Sequence, residues 1–147
     1  MYTKSKLVDE RGIVTETLTF GPIGVMPGFQ RKGIGKALLE QTFAKAIELG
    51  YKAIIIFGTP GNYVGRGFKS CKRYNVCLEG DVFPAALLVK GLETGFFDGR
   101  KYYFYESPVF EIEERLAGEF DKCFEPMEKS YQLSQEEFYI LSQSVMR

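Results

Sequence analysis

The sequence contains no histidine. That absence removes Ser-His-Asp and Cys-His catalysis, the usual zinc sites and a histidine general base. Acid–base work must fall to Glu, Asp, Tyr, Lys, Cys or water. Cysteine is scarce: Cys71, Cys77 and Cys123 are odd in number and lack C-x-x-C spacing. They read as reduced thiols of a cytoplasmic protein, filling small apolar positions. Net charge is also missing, since 19 Lys and Arg cancel 19 Asp and Glu. Charge alone therefore asks for no nucleic acid and no membrane surface. No apolar run approaches membrane-spanning length, and no secretory signal is expected. No metal site is expected either.

What is present suffices for one folded domain: 147 residues, 45% of them apolar and 15% aromatic. Met1 to Val8 reads as a strand, Asp9-Glu10-Arg11-Gly12 as a turn, and Val14 to Met26 as a second strand closing a hairpin. In the second strand Val14, Leu18 and Phe20 are apolar at even positions, Ile23 and Val25 at odd ones. The switch predicts a β-bulge at Gly21-Pro22. A helix is predicted from near Gly33 to Leu49-Gly50, with Gly50 as its C′ residue and an apolar stripe of Leu39, Phe43, Ala46 and Ile47. The wholly apolar strand 53–57 completes a βαβ unit, expected to be right-handed. Further strands are expected at Val82–Val89 and within the aromatic-rich stretch Gly99–Ile112. A helix follows at Glu113–Cys123. Ser134-Gln135-Glu136-Glu137 has capping-box spacing and opens a last helix to about Val145. The fold class is α/β (α+β), with a mixed sheet around a βαβ core at 1–112 and a C-terminal helical extension at 113–147.

The most informative stretch joins the second strand to the helix: Ile23-Gly24-Val25-Met26-Pro27-Gly28-Phe29-Gln30-Arg31-Lys32-Gly33-Ile34-Gly35-Lys36. A basic, glycine-rich turn opens a helix whose first N–H groups are unpaired, which makes a seat for a phosphate or pyrophosphate. It is not a P-loop, because Ala37 stands where the Mg²⁺-binding hydroxyl belongs. Nor is it a dinucleotide fingerprint, because Leu38 stands where a third Gly belongs.

Gln30-Arg31-Lys32-Gly33-Ile34-Gly35 does fit Gln/Arg-x-x-Gly-x-Gly/Ala, and Tyr63 lies four residues before Gly67-Phe68. On these residues the span from Thr3 to about Ile112 resembles the GNAT superfamily of N-acetyltransferases, in particular the YhbS-like acetyltransferases. The resemblance implies a GNAT-like mixed sheet and acetyl-CoA as cosubstrate. Backbone groups of Ile23 and Val25 would hold the acetyl end, and Gln30, Arg31, Lys32, Gly33, Ile34, Gly35 and Lys36 the pyrophosphate. Asn62 would touch the pantetheine arm. Tyr63 would be the general acid, and Glu16 marks where some members carry a catalytic carboxylate. The implied activity is N-acetyl transfer to an amine of a small molecule or peptide. Two alternatives stay open: a CoA-binding, non-catalytic remnant or structural subunit, and a nucleotide-binding protein.

The resemblance also implies that family members carry a strand and helices ahead of the hairpin, so the chain reads as N-terminally incomplete. The strand at Met1–Val8 is then expected to have a bare edge. Leu18, Phe20 and Ile54–Phe57 are expected to be candidates for exposure. A homo-oligomer, or the tail folding back, is the expected remedy.

Overall fold

The computed structural model describes residues 1–147. β1 (Tyr2–Asp9) and β2 (Val14–Phe20) form the expected antiparallel hairpin, in register from Tyr2–Phe20 to Val8–Val14. α1 (Ile34–Glu48) follows a glycine-rich loop and leads to β3 (Ala53–Phe57). A four-residue helix α2 (Pro60–Tyr63) precedes the short strands β4 (Lys69–Ser70) and β5 (Val76–Cys77). β6 (Leu87–Gly91) and β7 (Tyr102–Tyr105) complete a seven-stranded mixed sheet of order β4-β6-β3-β2-β1-β7-β5. α3 (Glu114–Asp121) and α4 (Leu133–Gln143) close the chain. No helix is long and apolar enough to cross a membrane.

Alternation along the strands divides the core in two. Leu18, Phe20, Ile54, Ile56 and Leu88 pack with Leu39, Phe43 and Ala46 of α1 and with Phe68. On the opposite face Leu7, Ala53, Ile55, Leu87, Val89 and Phe104 pack with Cys71, Val76 and Tyr102. Ile47, expected in the apolar stripe of α1, is instead 53% exposed, because the stripe curves from 39 to 43 to 46 and leaves it on the rim. Gly50 does adopt the left-handed φ of 84° expected after a helix.

β2 and β3 run parallel but share a single registered pair, Leu18–Ile54, so they part toward their carboxyl ends. β2 ends at Phe20, six residues before the expected Met26, and there is no ladder left for a bulge at Gly21-Pro22. The Gly21 N–H still donates to the Met1 carbonyl in the hairpin register, and the next residue, Pro22, has no N–H to give.

The edge expected to be bare is paired from within along its second half. β7 pairs with β1 from Lys6–Tyr105 to Asp9–Tyr102. Asp9, 4% exposed, helps bring it there by accepting hydrogen bonds from Arg11, from the Ile13 N–H and from Arg100 just ahead of β7. Leu18, Phe20, Ile54, Ile55 and Ile56 are all buried, and of the residues expected to be exposed only Phe57 is, at 43%. The face of β1 and β2 beyond α1 is polar, with Lys4 paired to Glu16. The later strands are shorter than the expected 82–89 and 99–112, since residues 82–86 and 106–112 run as loops and turns. The last helix is capped two residues earlier than Ser134 suggests: the Gln132 N–H donates to Gln135 Oε1, the two residues forming the capping box.

Candidate functional site

The loop between β2 and α1 leaves many backbone donors free. No acceptor in the chain takes the N–H of Ile23, Gly24 or Val25, nor any of the six from Arg31 to Lys36. Arg31 (φ 59°) and Gly33 (φ 82°) are both left-handed, a backbone alternation that turns successive N–H groups toward one concavity. An L side chain at 33 is strained by that φ, although the space around its Cβ is open. The Gln30 amide donates to the Val25 carbonyl and ties the loop back to the strand end. Lys32 donates to the Gly28 carbonyl, and Lys36 pairs with Glu40 at 3.6 Å. Arg31 has no acidic partner. A cavity of about 230 Å³ lies on this loop, lined by Gln30, Arg31, Gly33, Ile34, Gly35, Lys36 and Arg66 among others, with no carboxylate. Donors and cations without a counter-charge make it an anion seat.

A second cavity of about 260 Å³ adjoins it beyond the carboxyl ends of β2 and β3. Ile23, Gly24, Val25, Gly35, Asn62, Tyr63 and Arg66 line it. Tyr63 comes from α2, directly beyond the end of β3. Its ring packs edge-on against Phe20 and Phe68. It also lies close against Gly58, where an added Cβ would sit 2.8 Å from Cε2. Burial raises the Tyr63 phenol above the ordinary tyrosine value, so it holds its proton through neutral pH.

A third cavity, about 460 Å³, lies on the other side of Tyr63 and Asn62. Its walls come from the end of β3, the start of β6 and α4. The structure thus brings together Ile23, Val25, Gln30, Arg31, Gly33, Ile34, Gly35, Lys36, Asn62 and Tyr63 of the expected site. Lys32 lies on the same loop but lines none of these cavities. Glu16 is apart from them. It is held by Lys4 at 3.0 Å and accepts from the Tyr51 hydroxyl at 3.4 Å, lining a separate cavity with Lys6 and Tyr105. Two residues were missed. Arg66 lines both the anion seat and the cleft, and its position between Gly65 and Gly67 was the available signal. Gly58 gives the Tyr63 ring its place, and nothing short of the fold reveals that contact.

Residues 7–68 match the model of the Acetyltransferase (GNAT) family. The fold matches a 1.55 Å crystal structure of the GNAT family N-acetyltransferase YhbS from Escherichia coli in complex with CoA. The TM-score is 0.62 at 19% identity, over 74% of this chain and 60% of that one. Over residues 7–68 the chain is similar to the GNAT family, and its fold is GNAT-like. At that identity the structural likeness concerns the fold, and the chain spans 60% of the length of the protein it matches. No curated protein matches the sequence. The loop of free N–H groups and Asn62, Tyr63 and Arg66 fall within the residues that the family model matches.

Proposed function

We propose that this chain transfers an acetyl group from acetyl-CoA to an amine. The observation that carries the reading is the unbroken run of free N–H groups from Arg31 to Lys36, opening into a cleft that ends at Tyr63. The donor set fits the cosubstrate. The seat offers N–H groups, Arg31, Lys36 and Arg66 to a pyrophosphate and presents no carboxylate to oppose it. Acetyl-CoA supplies a thioester whose carbonyl an amine attacks. The chain's own work is then threefold. Residues 31–36 bind the pyrophosphate. The unpaired N–H groups around Val25 receive the carbonyl oxygen as it becomes negative. Tyr63, protonated and beside Asn62, gives its proton to the departing sulfur. Proton removal from the amine is assigned to no side chain, since Glu16 belongs to the Lys4 pair.

Calorimetry with CoA tests the seat, and thiol release from acetyl-CoA across an amine panel tests transfer. Binding without release from any amine selects the non-catalytic reading. Absence of binding ends both. A homo-oligomer is carried forward on a different surface from the sheet edge. α3, α4 and the segment between them leave Phe120, Phe124, Met127 and Leu133 in solvent. Light scattering reads it, and a monomer at micromolar concentration rejects it.

A further inference from the structure

The third cavity is half lined by hydrophobic residues and contains no Asp, Glu, Lys or Arg. Phe57, Pro84, Ala86, Phe138 and Leu141 supply its apolar walls, and Asn62 and Tyr63 are shared with the cleft. α4 is fastened to it. The Ala85 N–H donates to the Ser144 carbonyl and the Met146 N–H to the Phe83 carbonyl, both at 2.8 Å. Pro84 and Val145 form an antiparallel bridge, and Met146 packs against the core. The residues just after α4 therefore hold it over the start of β6. Phe138, 72% exposed, stands at the mouth.

We infer that this chamber is the acceptor site of the transferase proposed above, and that its substrates are arylamines, amines that are uncharged at neutral pH and carry an apolar ring. The inference rests on the acyl-transfer reading and goes beyond it in naming the substrate class. Two features select that class. An ammonium ion entering the chamber meets no carboxylate and only the neutral side chains of Thr59, Asn62, Tyr63 and Ser142 as polar partners, so it gives up hydration without gaining a counter-charge. No side chain in the chamber is placed to remove a proton, so the nitrogen must arrive with its lone pair free. An alkylamine of lysine-like basicity is neutral in only about one molecule in a thousand at pH 7.5. The step balances without a further reactant. The amine nitrogen forms the C–N bond as the C–S bond breaks. The sulfur takes the Tyr63 proton, and the proton leaving nitrogen passes to water and restores Tyr63.

Aniline and cyclohexylamine, two six-membered rings that differ in nitrogen basicity, test the inference on CoA-loaded protein. Saturation-transfer NMR should give aniline an affinity independent of pH between 7 and 8.5. The apparent affinity of cyclohexylamine should rise about tenfold per unit over the same range. With acetyl-CoA, thiol release should show the same contrast in kcat/KM. Leu141→Glu places a carboxylate in the wall. It should weaken aniline binding at least tenfold and strengthen cyclohexylamine, while calorimetry finds CoA affinity unchanged. The chain has no tryptophan, so Phe138→Trp adds a single fluorophore at the mouth, and its emission should change on adding aniline if the chamber is the site. CoA binding and transfer to spermidine or a lysine peptide, with aniline neither bound nor acetylated, overturns the inference and leaves the acyl-transfer reading standing. Loss of CoA binding in the wild type overturns that reading instead. Aniline binding that neither Leu141→Glu nor Phe138→Trp senses rejects the chamber.

Discussion

Gly33 allows the anion seat to be tested with geometry and charge separated. Its φ of 82° is left-handed, and no atom lies within 4 Å of the Cβ a side chain would add. Asn and Asp are the non-glycine residues that best tolerate this backbone, so Gly33→Asn and Gly33→Asp should share one folding penalty of about 1 kcal/mol. They differ only in charge. At about 5 Å and an effective dielectric of about 20, a carboxylate opposes a like unit charge by about 3 kcal/mol. That energy corresponds to a factor of about 100 in affinity. Calorimetric titration with CoA should therefore show Gly33→Asn binding within about tenfold of wild type and Gly33→Asp about 100-fold more weakly than Gly33→Asn. Raising salt tenfold should narrow the gap, because the seat is open to solvent and the interaction is screened. Equal affinity of the two variants, with equal urea midpoints, would refute an anion at this loop.

Tyr63→Phe should lower kcat about 100-fold or more with little change in CoA affinity, because a general acid acts in the transition state. Burial raises this phenol, so the wild-type rate should be flat through neutral pH and fall only above the ordinary tyrosine range, a limb that the variant lacks. Gly58→Ala sets a Cβ 2.8 Å from Tyr63 Cε2. The ring must move, so transfer should drop about tenfold or more while CoA still binds in calorimetry. Phe68, 1% exposed and stacked edge-on with Phe20, Phe43 and Tyr63, anchors the core under α1. Phe68→Ala should cost about 3–5 kcal/mol in urea unfolding.

The parts read correctly from the sequence are those where local chemistry and long-range packing agree. The Gln30–Gly35 loop, the helix to Leu49 with left-handed Gly50, and the apolar strand at 53–57 each carry their own signal in periodicity or turn residues. The end of β2 was misread because Ile23 and Val25 keep the look of a strand, while the ladder makes its last hydrogen bond from Gly21 to Met1 and Pro22 has no N–H to continue it. The partner of the sheet edge was not legible because Tyr102–Tyr105 pairs with Lys6–Asp9 across about two thirds of the chain, a contact with no local signature. The apolar chamber was illegible for the same reason. Phe57, Ala86 and Leu141 are ordinary hydrophobic residues until the bridge between Pro84 and Val145 sets α4 against the others.

The pairing of Lys6 with Tyr105 has a consequence for how the protein is made. The first strand is synthesised nearly a hundred residues before the strand that covers it. At a translation rate of about 5–20 residues per second, β1 waits roughly 5–20 s for its partner. Through that interval its outer edge offers backbone donors and acceptors to any other nascent chain. Lys4 and Lys6 lie on that strand, and lysines there discourage edge-to-edge pairing. In the finished molecule Lys4 pairs with Glu16, and the Lys6 ammonium lies 5.1 Å from the centre of the Tyr105 ring. The same two side chains thus guard the strand during synthesis and pack beside it after folding.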